Sequence, residues 1–382
     1  MSRDANKRIR LLVDAHTFDG EYQGTRTFIH EIYRRLALSP ELELYIAAYD
    51  PVRLEQDFPV GRIRFLKFRS RSSVFRLLVE LPLLIRKHRI DYAHFQYMVP
   101  PLRNCRFIVT MHDVLFLDYP REFSLFYRLY KTWLYRHGAK KASILTVNSD
   151  FSEASVRRHL GIRTPIHFTP MAVDQRYFQH YDKNEVRQIF RSRYGFDRFV
   201  LYVSRIEPRK NHALLLQAYL ELELYKKGIR LVLLGHRSLP APEFDRLLAG
   251  LSKEIRSFIL TDHAVSDAEL LLFYQAASLF VYPSKAEGFG IPPLEAAAAR
   301  IPVICSNSSA MKEFDFFGDR HIDPADHTGF RNAIAAALEQ EPDNDRLAAI
   351  AETIRQRYSW DRSAATLQQL VLNDAEATGN PR

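Results

Sequence analysis

Only two cysteines, Cys105 and Cys305, stand in a chain of 382 residues. Two distant thiols form neither a disulfide framework nor a metal-ligand spacing, and they suit a reducing compartment such as the cytoplasm. No run of about 18 uncharged apolar residues occurs, which excludes an ordinary membrane-spanning helix. The opening residues, MSRDANKRIRLLVDAH, hold too short an apolar run for a secretory leader and enter a strand directly. Short-period repeats and low-complexity segments are missing too, which excludes a solenoid. Acidic residues are scarce in one half only. Residues 1–180 carry 29 Lys and Arg against 18 Asp and Glu, while the remainder carries 25 against 27. The whole net charge of +9 therefore arises in the first half. That excess either solubilises the surface or meets an anionic partner: a membrane, an acidic lipid carrier or nucleic acid.

What is present is an alternation of short apolar strands with helical periodicity, enough for two or three domains. In the first half, strands are expected at 8–14, 42–50, 62–68, 90–97, from 106 into a loop ending near 120, at 143–152 and at 165–174. Helices are expected from about Thr25, at 74–88 and at 124–139. The 74–88 segment is apolar on too many sides for a surface helix and reads as core, with Pro82 bending it. After a polar linker at 175–195 the second half repeats the class, with strands at 199–206, 229–235, 258–266, 279–282 and 302–305. Ser266 and Glu269 form a capping box, and helices are expected at 267–277, 327–340, 344–357 and 359–372. Strand–helix alternation of this kind specifies a doubly wound parallel sheet in each half.

Ligands of such sheets collect at the carboxyl ends of the strands. There the sequence places His112 and Asp113 after the 106 strand. A glycine loop with Gly20 and Gly24 follows the first strand, and Gly24–Thr25 would let a phosphate approach the backbone or would simply close a turn. Arg62, Arg64, Lys67, Arg69, Arg71 and Arg76 interleave with Phe65, Phe68 and Phe75. That pattern fits a membrane or acceptor surface carried by Arg69, Arg71 and Arg76, or an edge strand protected by charge.

The densest stretch is VYPSKAEGFGIPPLEAAAARIPVICS, Val281 to Ser306. A strand runs through Gly288, Phe289 and Gly290 into an Ala-rich helix from about Pro292 to Arg300, and Glu287 and Glu295 lie eight residues apart. Free N–H groups and the helix dipole favour an anion at such a corner, and prolines suit a helix start. Arg205 and Lys210, in RIEPRK after another strand, supply a planar fork and a point charge for a diphosphate. Carboxylates accept hydroxyl hydrogen bonds well, so Glu295 suits a ribose and Glu287 a sugar ring. Gly288 to Gly290 give backbone access without a Cβ.

These residues resemble the E-x7-E signature of retaining GT-B glycosyltransferases of family 4. The likeness extends through SRIEPRKN, SDAELLLFYQAASLFVYPS and IPVICSNSSAMKEF, and in the first half through ELPLLIRKHRIDYAHF, TMHDV and ILTVNSDFS. It implies two facing Rossmann-like domains with the donor site in the cleft. Residues 1–178 would bind the acceptor, 179–358 the nucleotide sugar, and 359–382 would cross back to the first domain. Carried to matching positions, Arg205 and Lys210 bind diphosphate, Glu287 the donor sugar and Glu295 the ribose. His112 is similar to the family's active-site histidine. The resemblance implies front-face substitution with retention and no metal or other cofactor, the leaving diphosphate helping to deprotonate the acceptor.

The first-half segments look most like mannosyltransferases using a GDP-sugar, which makes GDP-mannose the donor to try. The expected partners are that nucleotide sugar, a glycan or polyprenyl-diphosphate-linked acceptor of surface polysaccharide, and an anionic membrane at the inner face of the plasma membrane, but no nucleic acid. A nucleotide-sugar 2-epimerase of the same fold, and a non-catalytic anion- or nucleic-acid-binding protein, are the alternatives. Two positions depart from the family: Arg300 stands where glycine is usual, and the 20–26 loop lacks paired glycines.

Overall fold

The computed structural model describes residues 8–19, 24–58, 63–263 and 265–379; Gly20 and Arg62 lie outside them. The chain divides into two compact units, Met1–Met171 with Ser359–Arg382, and Ala172–Tyr358.

The first unit is built on seven parallel strands: β1 Ile9–Asp14, β2 Leu42–Ala48, β3 Ile63–Lys67, β4 Tyr92–Gln96, β5 Arg106–Met111, β6 Ile144–Val147 and β7 His167–Phe168. Their order is β3-β2-β1-β4-β5-β6-β7. Leu11, Leu12 and Val13 of β1 are fully buried, which is why the run lacks alternation. The 165–174 strand shrinks to two residues, since Pro165 and Pro170 cannot donate to a ladder. The strand from 106 stops at Met111, and a short helix, Leu115–Asp118, follows His112 and Asp113.

The 74–88 segment departs from its expectation as a core helix. It forms a turn at Ser73–Phe75, a π-helical stretch at Arg76–Glu80 and a helix at Leu81–Lys87. Leu81 N–H reaches back five residues to Arg76 O, one residue before Pro82, which has no N–H to give. The inward stripe is Arg76, Glu80, Leu81 and Ile85, while Val74, Phe75, Leu78 and Leu83 face outward. Polar side chains take the inner positions because partners await them. Glu80 accepts from the Arg69 N–H at 2.6 Å, and Arg76 meets Asp14 at 3.2 Å.

On the other side of this sheet the helix Gly24–Leu36 buries Phe28, Ile29, Ile32, Tyr33 and Leu36, each worth about 1.5–3 kcal/mol. The final helix, Trp360–Ala377, packs along it. Trp360 lies 6.3 Å from Phe28, Asp361 pairs with Arg35, and Ser363 Oγ donates to Pro170 O at 2.7 Å.

The second unit has six parallel strands: β8 Phe199–Val203, β9 Arg230–Leu234, β10 Ile259–His263, β11 Leu279–Tyr282, β12 Val303–Ser306 and β13 His321–Ile322. Their order is β10-β9-β8-β11-β12-β13. The capping box forms as expected, Ser266 and Glu269 bonding each other's backbone N–H at the start of the helix Asp267–Ala276. Strands β8 and β11 are neighbours, so the loops that leave their carboxyl ends are brought side by side.

Candidate functional site

The loop after β8 carries Arg205 and Glu207 into a 3-10 turn, Pro208–Lys210, and Asn211 takes a left-handed φ of 57° to start the helix His212–Glu221. Asn211 Nδ2 donates to Pro283 O at 3.2 Å, which ties this loop to the end of β11. Gly235, at the end of β9, completes the floor. A Cβ there would stand 2.2 Å from Ser204 O, so only glycine lets the two loops touch.

Glu287 lies at the centre of this corner. Its Oε1 accepts from Lys210 Nζ at 2.5 Å and from the Tyr282 hydroxyl at 2.9 Å, and its Oε2 accepts from Arg209 Nη1 at 3.1 Å. Its own N–H donates to Ser309 Oγ at 2.7 Å. Burial alone would raise this carboxyl, but the Lys210 charge, with Arg209 behind it, holds the pKa down to about 2. Burial pulls the Lys210 ammonium down from its usual value, and Glu287 opposes that shift. Arg205 is held more loosely. Its guanidinium is 3.9 Å from Glu207 and its side chain 38% exposed, the geometry of a cation able to turn toward an arriving anion.

Sequence reading missed Arg209, Glu207 and Tyr282, although two of them sit inside the RIEPRK segment. Arg209 bridges the corner, bonding Glu207 at 2.5 Å and the Ala286 carbonyl as well as Glu287. Three cations against two carboxylates leave the corner with an unmatched positive charge. An added diphosphate has a natural place there.

Gly290 caps the helix Ile291–Ala298 with a φ of 105°, a conformation that glycine adopts without strain. The helix begins one residue earlier than expected, and Pro292 and Pro293 remove two N–H groups from its first turn. At Phe289, expected as a donor contact through its N–H, the side chain turns into the core. Its ring is 4% exposed and packs against Tyr358 at 5.4 Å and Phe314 at 6.0 Å, so the loop offers backbone there, not an aromatic face.

Glu295 keeps different company. Its Oε2 accepts from the Tyr274 hydroxyl at 2.8 Å, and Tyr177 stands edge-on to that ring at 5.4 Å. Burial raises its pKa to about 7, against the pull of the Tyr274 hydroxyl and Arg176. The two signature glutamates are thus electrostatically opposite: one is locked ionised and the other is poised near neutrality.

In the first unit, His112 is buried at the end of β5 with both ring nitrogens engaged. Nδ1 lies 2.7 Å from Asn148 Nδ2, a donor, so the ring carries its proton on Nε2 and donates to Gln96 Oε1 at 2.6 Å. Burial lowers its pKa to about 4, the Asn148 bond opposing, and the imidazole is neutral at physiological pH. Gln96 also approaches His94, whose ring lies between Tyr33 and Thr110 and whose pKa burial pulls down to about 3. Gly24 opens the helix Gly24–Leu36 against Met171, where a Cβ would meet Met171 Cε at 3.3 Å.

Arg69 and Arg71 are exposed, but Arg76 is not a surface residue. It is 3% exposed, bonds the Tyr49 hydroxyl at 3.0 Å and pairs with Asp14 at 3.2 Å. The π-helical stretch turns it inward, which removes it from any docking surface. Among the described residues, no cluster of His, Cys, Asp or Glu is arranged to hold a metal.

The comparisons with known proteins divide as the two halves do. Residues 22–177 match the profile described as Glycosyltransferase Family 4, and residues 185–354 the profile described as Glycosyl transferases group 1. The chain is 26% identical over 357 residues to the O-antigen chain mannosyltransferase B of Escherichia coli, covering 88% of this chain and 93% of that protein. It is 27% identical over 249 residues to the O-antigen chain mannosyltransferase RfbU of Salmonella typhimurium, covering 65% of this chain and 64% of that one. A 32% identity to the serotype-specific mannosyltransferase WbdA of Escherichia coli covers 44% of this chain and only 21% of that protein. In fold, it is similar to sucrose-phosphate synthase from Thermosynechococcus elongatus, with a TM-score of 0.76, 18% identity, and 97% of this chain and 100% of that one covered. WaaG, a glycosyltransferase involved in lipopolysaccharide biosynthesis, matches with a TM-score of 0.67 and 19% identity over 94% of this chain and 99% of that one.

Proposed function

Because this chain belongs to the family 4 glycosyltransferases of the GT-B fold, we propose that it transfers a hexose, with retention, from a nucleotide sugar to a glycan or polyprenyl-diphosphate-linked acceptor of a cell-surface polysaccharide. The second unit binds the donor and the first the acceptor. The observation that carries this reading is the corner around Glu287, where Arg209 and Lys210 hold one carboxylate at the ends of β8 and β11 and Arg205 lies against the neighbouring Glu207.

In this reading Arg205 swings onto the donor diphosphate and Lys210 shares its charge between that diphosphate and Glu287. Glu287 then accepts hydroxyl hydrogen bonds from the hexose with the lone pairs that Lys210 gives up. The N–H groups of Gly288 to Gly290 support the sugar, and Glu295, ionised above about pH 7, accepts from the ribose diol. By its likeness to the family's active-site histidine, His112 serves the reaction as a neutral hydrogen-bonding group, not as a cation. The acceptor hydroxyl attacks the anomeric carbon on the face the diphosphate leaves, and the departing phosphate oxygen takes its proton. Side-chain cations compensate the leaving group, so activity is expected to persist in EDTA.

Resemblance to the two O-antigen mannosyltransferases supports mannose as the sugar and GDP-mannose as the donor. A lipid-linked acceptor supports a peripheral position at the cytoplasmic face of the membrane. The test is a thermal-shift panel of GDP-, UDP- and ADP-sugars. GDP-mannose is expected to raise Tm most, since a ligand at about 100 times its Kd adds roughly 2.7 kcal/mol. A flat response to every nucleotide sugar would sink the assignment. Epimerase chemistry would appear instead as an isomerised nucleotide sugar formed without acceptor.

A further inference from the structure

The helix Leu125–Lys141 of the first unit shows an uncovered apolar stripe. Phe126 is 81% exposed, Trp133 67%, Leu129 64%, Leu125 63% and Tyr130 49%. Spacings of four, three and four residues put all five on one side of the helix. Single exposed apolar residues are ordinary, but a stripe containing three aromatics marks an interaction surface. The stripe cannot roll inward. Tyr135, Gly138 and Ala139 fill the opposite side, and Gly138 rests on the chain, where a Cβ would come 2.3 Å from Tyr97 O.

The charge on the helix itself is of one sign. The helix carries Arg128, Lys131, Arg136, Lys140 and Lys141, and residues 123–149 contain no Asp or Glu. A second apolar group, Val74, Phe75, Leu78 and Leu83, faces outward from the segment on the same side of the sheet. Leu81 and Ile85 of that segment share one core with Tyr135 and Ala139. The loop between them exposes Leu102 at 77% and ties both ends, Asn104 donating to Pro82 O at 3.2 Å and Arg103 to Ser143 Oγ at 2.5 Å. Arg69 and Arg71 are exposed just before the second group.

We propose that this face is a docking surface for an anionic lipid bilayer, with Phe126, Tyr130 and Trp133 seated at headgroup depth and the surrounding lysines and arginines on lipid phosphates. Tyrosine and tryptophan are suited to that depth because one end of each ring is apolar and the other polar. A second copy of the chain fits less well. A two-fold contact would set five cations against five, with no carboxylate in 123–149 to answer them. Spanning is not the mode, since no described helix is long and apolar enough to cross a membrane. The proposal deepens the peripheral placement above by naming the surface and the lipid charge, and its readout needs no sugar donor.

The test uses the full chain with vesicles of phosphatidylcholine alone or mixed with phosphatidylglycerol. Of the two tryptophans, Trp360 is 3% exposed, so a vesicle-induced blue shift in emission reports Trp133. Co-sedimentation with the mixed vesicles and a blue shift are expected, with little binding to the neutral ones. Replacing Phe126, Tyr130 and Trp133 together by Ser should weaken binding at least about tenfold while Tm and the donor-induced thermal shift stay unchanged. Lys140→Glu with Lys141→Glu should weaken it about tenfold by charge alone. Equal binding by the triple variant, no binding by the wild type, or a dimer that the triple variant dissolves without any vesicle binding would each overturn the proposal. A chain that binds vesicles through this stripe but no nucleotide sugar would leave it standing and remove the transferase mechanism instead.

Discussion

Lys210 Nζ stands 2.5 Å from Glu287 Oε1, both groups buried, at the point where two neighbouring strands release their loops. The family signature glutamate is therefore occupied before any donor arrives. Its first role is to keep an ammonium charged in a buried place.

Glu287→Gln tests both roles. Glutamine keeps an acceptor for Tyr282 but leaves Lys210 without a counter-charge, and breaking a buried pair costs about 3–5 kcal/mol. The variant should fold with a lowered Tm and lose transfer by more than about 100-fold. The pH dependence gives a second readout. Glu287 has its folded pKa depressed from 4.5 to about 2, so its stabilisation is present above 4.5 and disappears as pH falls toward 2. Acid titration of stability should be steeper in the wild type than in the variant over that window. Wild-type turnover in the variant would remove Glu287 from the site.

Arg205→Ala should behave differently. Its guanidinium approaches Glu207 at 3.9 Å and is 38% exposed, so little stability depends on it. Losing one charge-assisted bond to a diphosphate costs about 1.5–3 kcal/mol, which weakens donor binding about 10–100-fold. Calorimetry of donor binding together with an unchanged Tm is the expected pair of results. A large fall in Tm would mean that Arg205 is structural.

Glu295 sets a pH dependence of opposite sign. Its folded pKa, about 7, lies above its ordinary 4.5, so the folded chain binds the extra proton between those values and stability falls as pH rises through that window. Glu295→Gln should therefore raise Tm at pH 8 relative to the wild type and change it little at pH 4. Donor affinity should move the other way, strengthening from pH 6 to pH 8 in the wild type as the carboxylate forms. A variant whose donor affinity equals the wild type's at pH 8 would exclude the ribose role.

What the sequence could show depended on how each residue declares its direction. Arg205, Lys210 and Glu287 are legible because each follows a strand, and strand ends in parallel sheets share an edge. Glu207 and Arg209 lie inside the same segment but were not legible, because their partners, among them Ala286 O and Glu287, come from a distant loop and leave no mark on the local spacing. Phe289 reads as a backbone contact between two glycines, and nothing local says that its ring is drawn into the core by Phe314 and Tyr358. Arg76 reads as one more cation in a basic run, and only the π-helical stretch turns it toward Asp14. The exposed stripe of Leu125–Lys141 was hidden for the opposite reason. Phe126, Tyr130 and Trp133 repeat as a core stripe would, and nothing local says that the core lies on the other side.

His112 offers a test of the buried network. Its folded pKa of about 4 lies below the ordinary 6.5, so its neutral form stabilises the fold above 6.5 and that contribution is lost as pH falls toward 4. NMR of the His112 ring should show no titration between pH 8 and pH 5. Gln96→Leu removes the acceptor that fixes the Nε2–H tautomer at 2.6 Å. It should lower kcat more than donor affinity, with the fold retained. An unchanged kcat would make the Gln96–His112 bond purely structural.

Arg300 carries the last prediction. The helix Ile291–Ala298 closes with paired bonds, Ile301 N–H to Ala296 O and Arg300 N–H to Ala297 O, both at 3.0 Å. That reversal requires a left-handed residue, and Arg300 supplies it at a φ of 55°. The turn is made here by an arginine under strain, at a cost of about 1–2 kcal/mol. Glycine would relieve that strain while adding about 0.5–1 kcal/mol of backbone entropy to the unfolded chain. Arg300→Gly should therefore raise stability by roughly 0.5 kcal/mol. Arg300→Ala, which keeps the strain and loses the same side chain, should not. Transfer should be unchanged in both, since Arg300 lies beyond the end of the helix and neither change alters Glu295 or the loop before Gly290. If both variants lose stability equally, the arginine side chain contributes more by packing than its turn costs in strain.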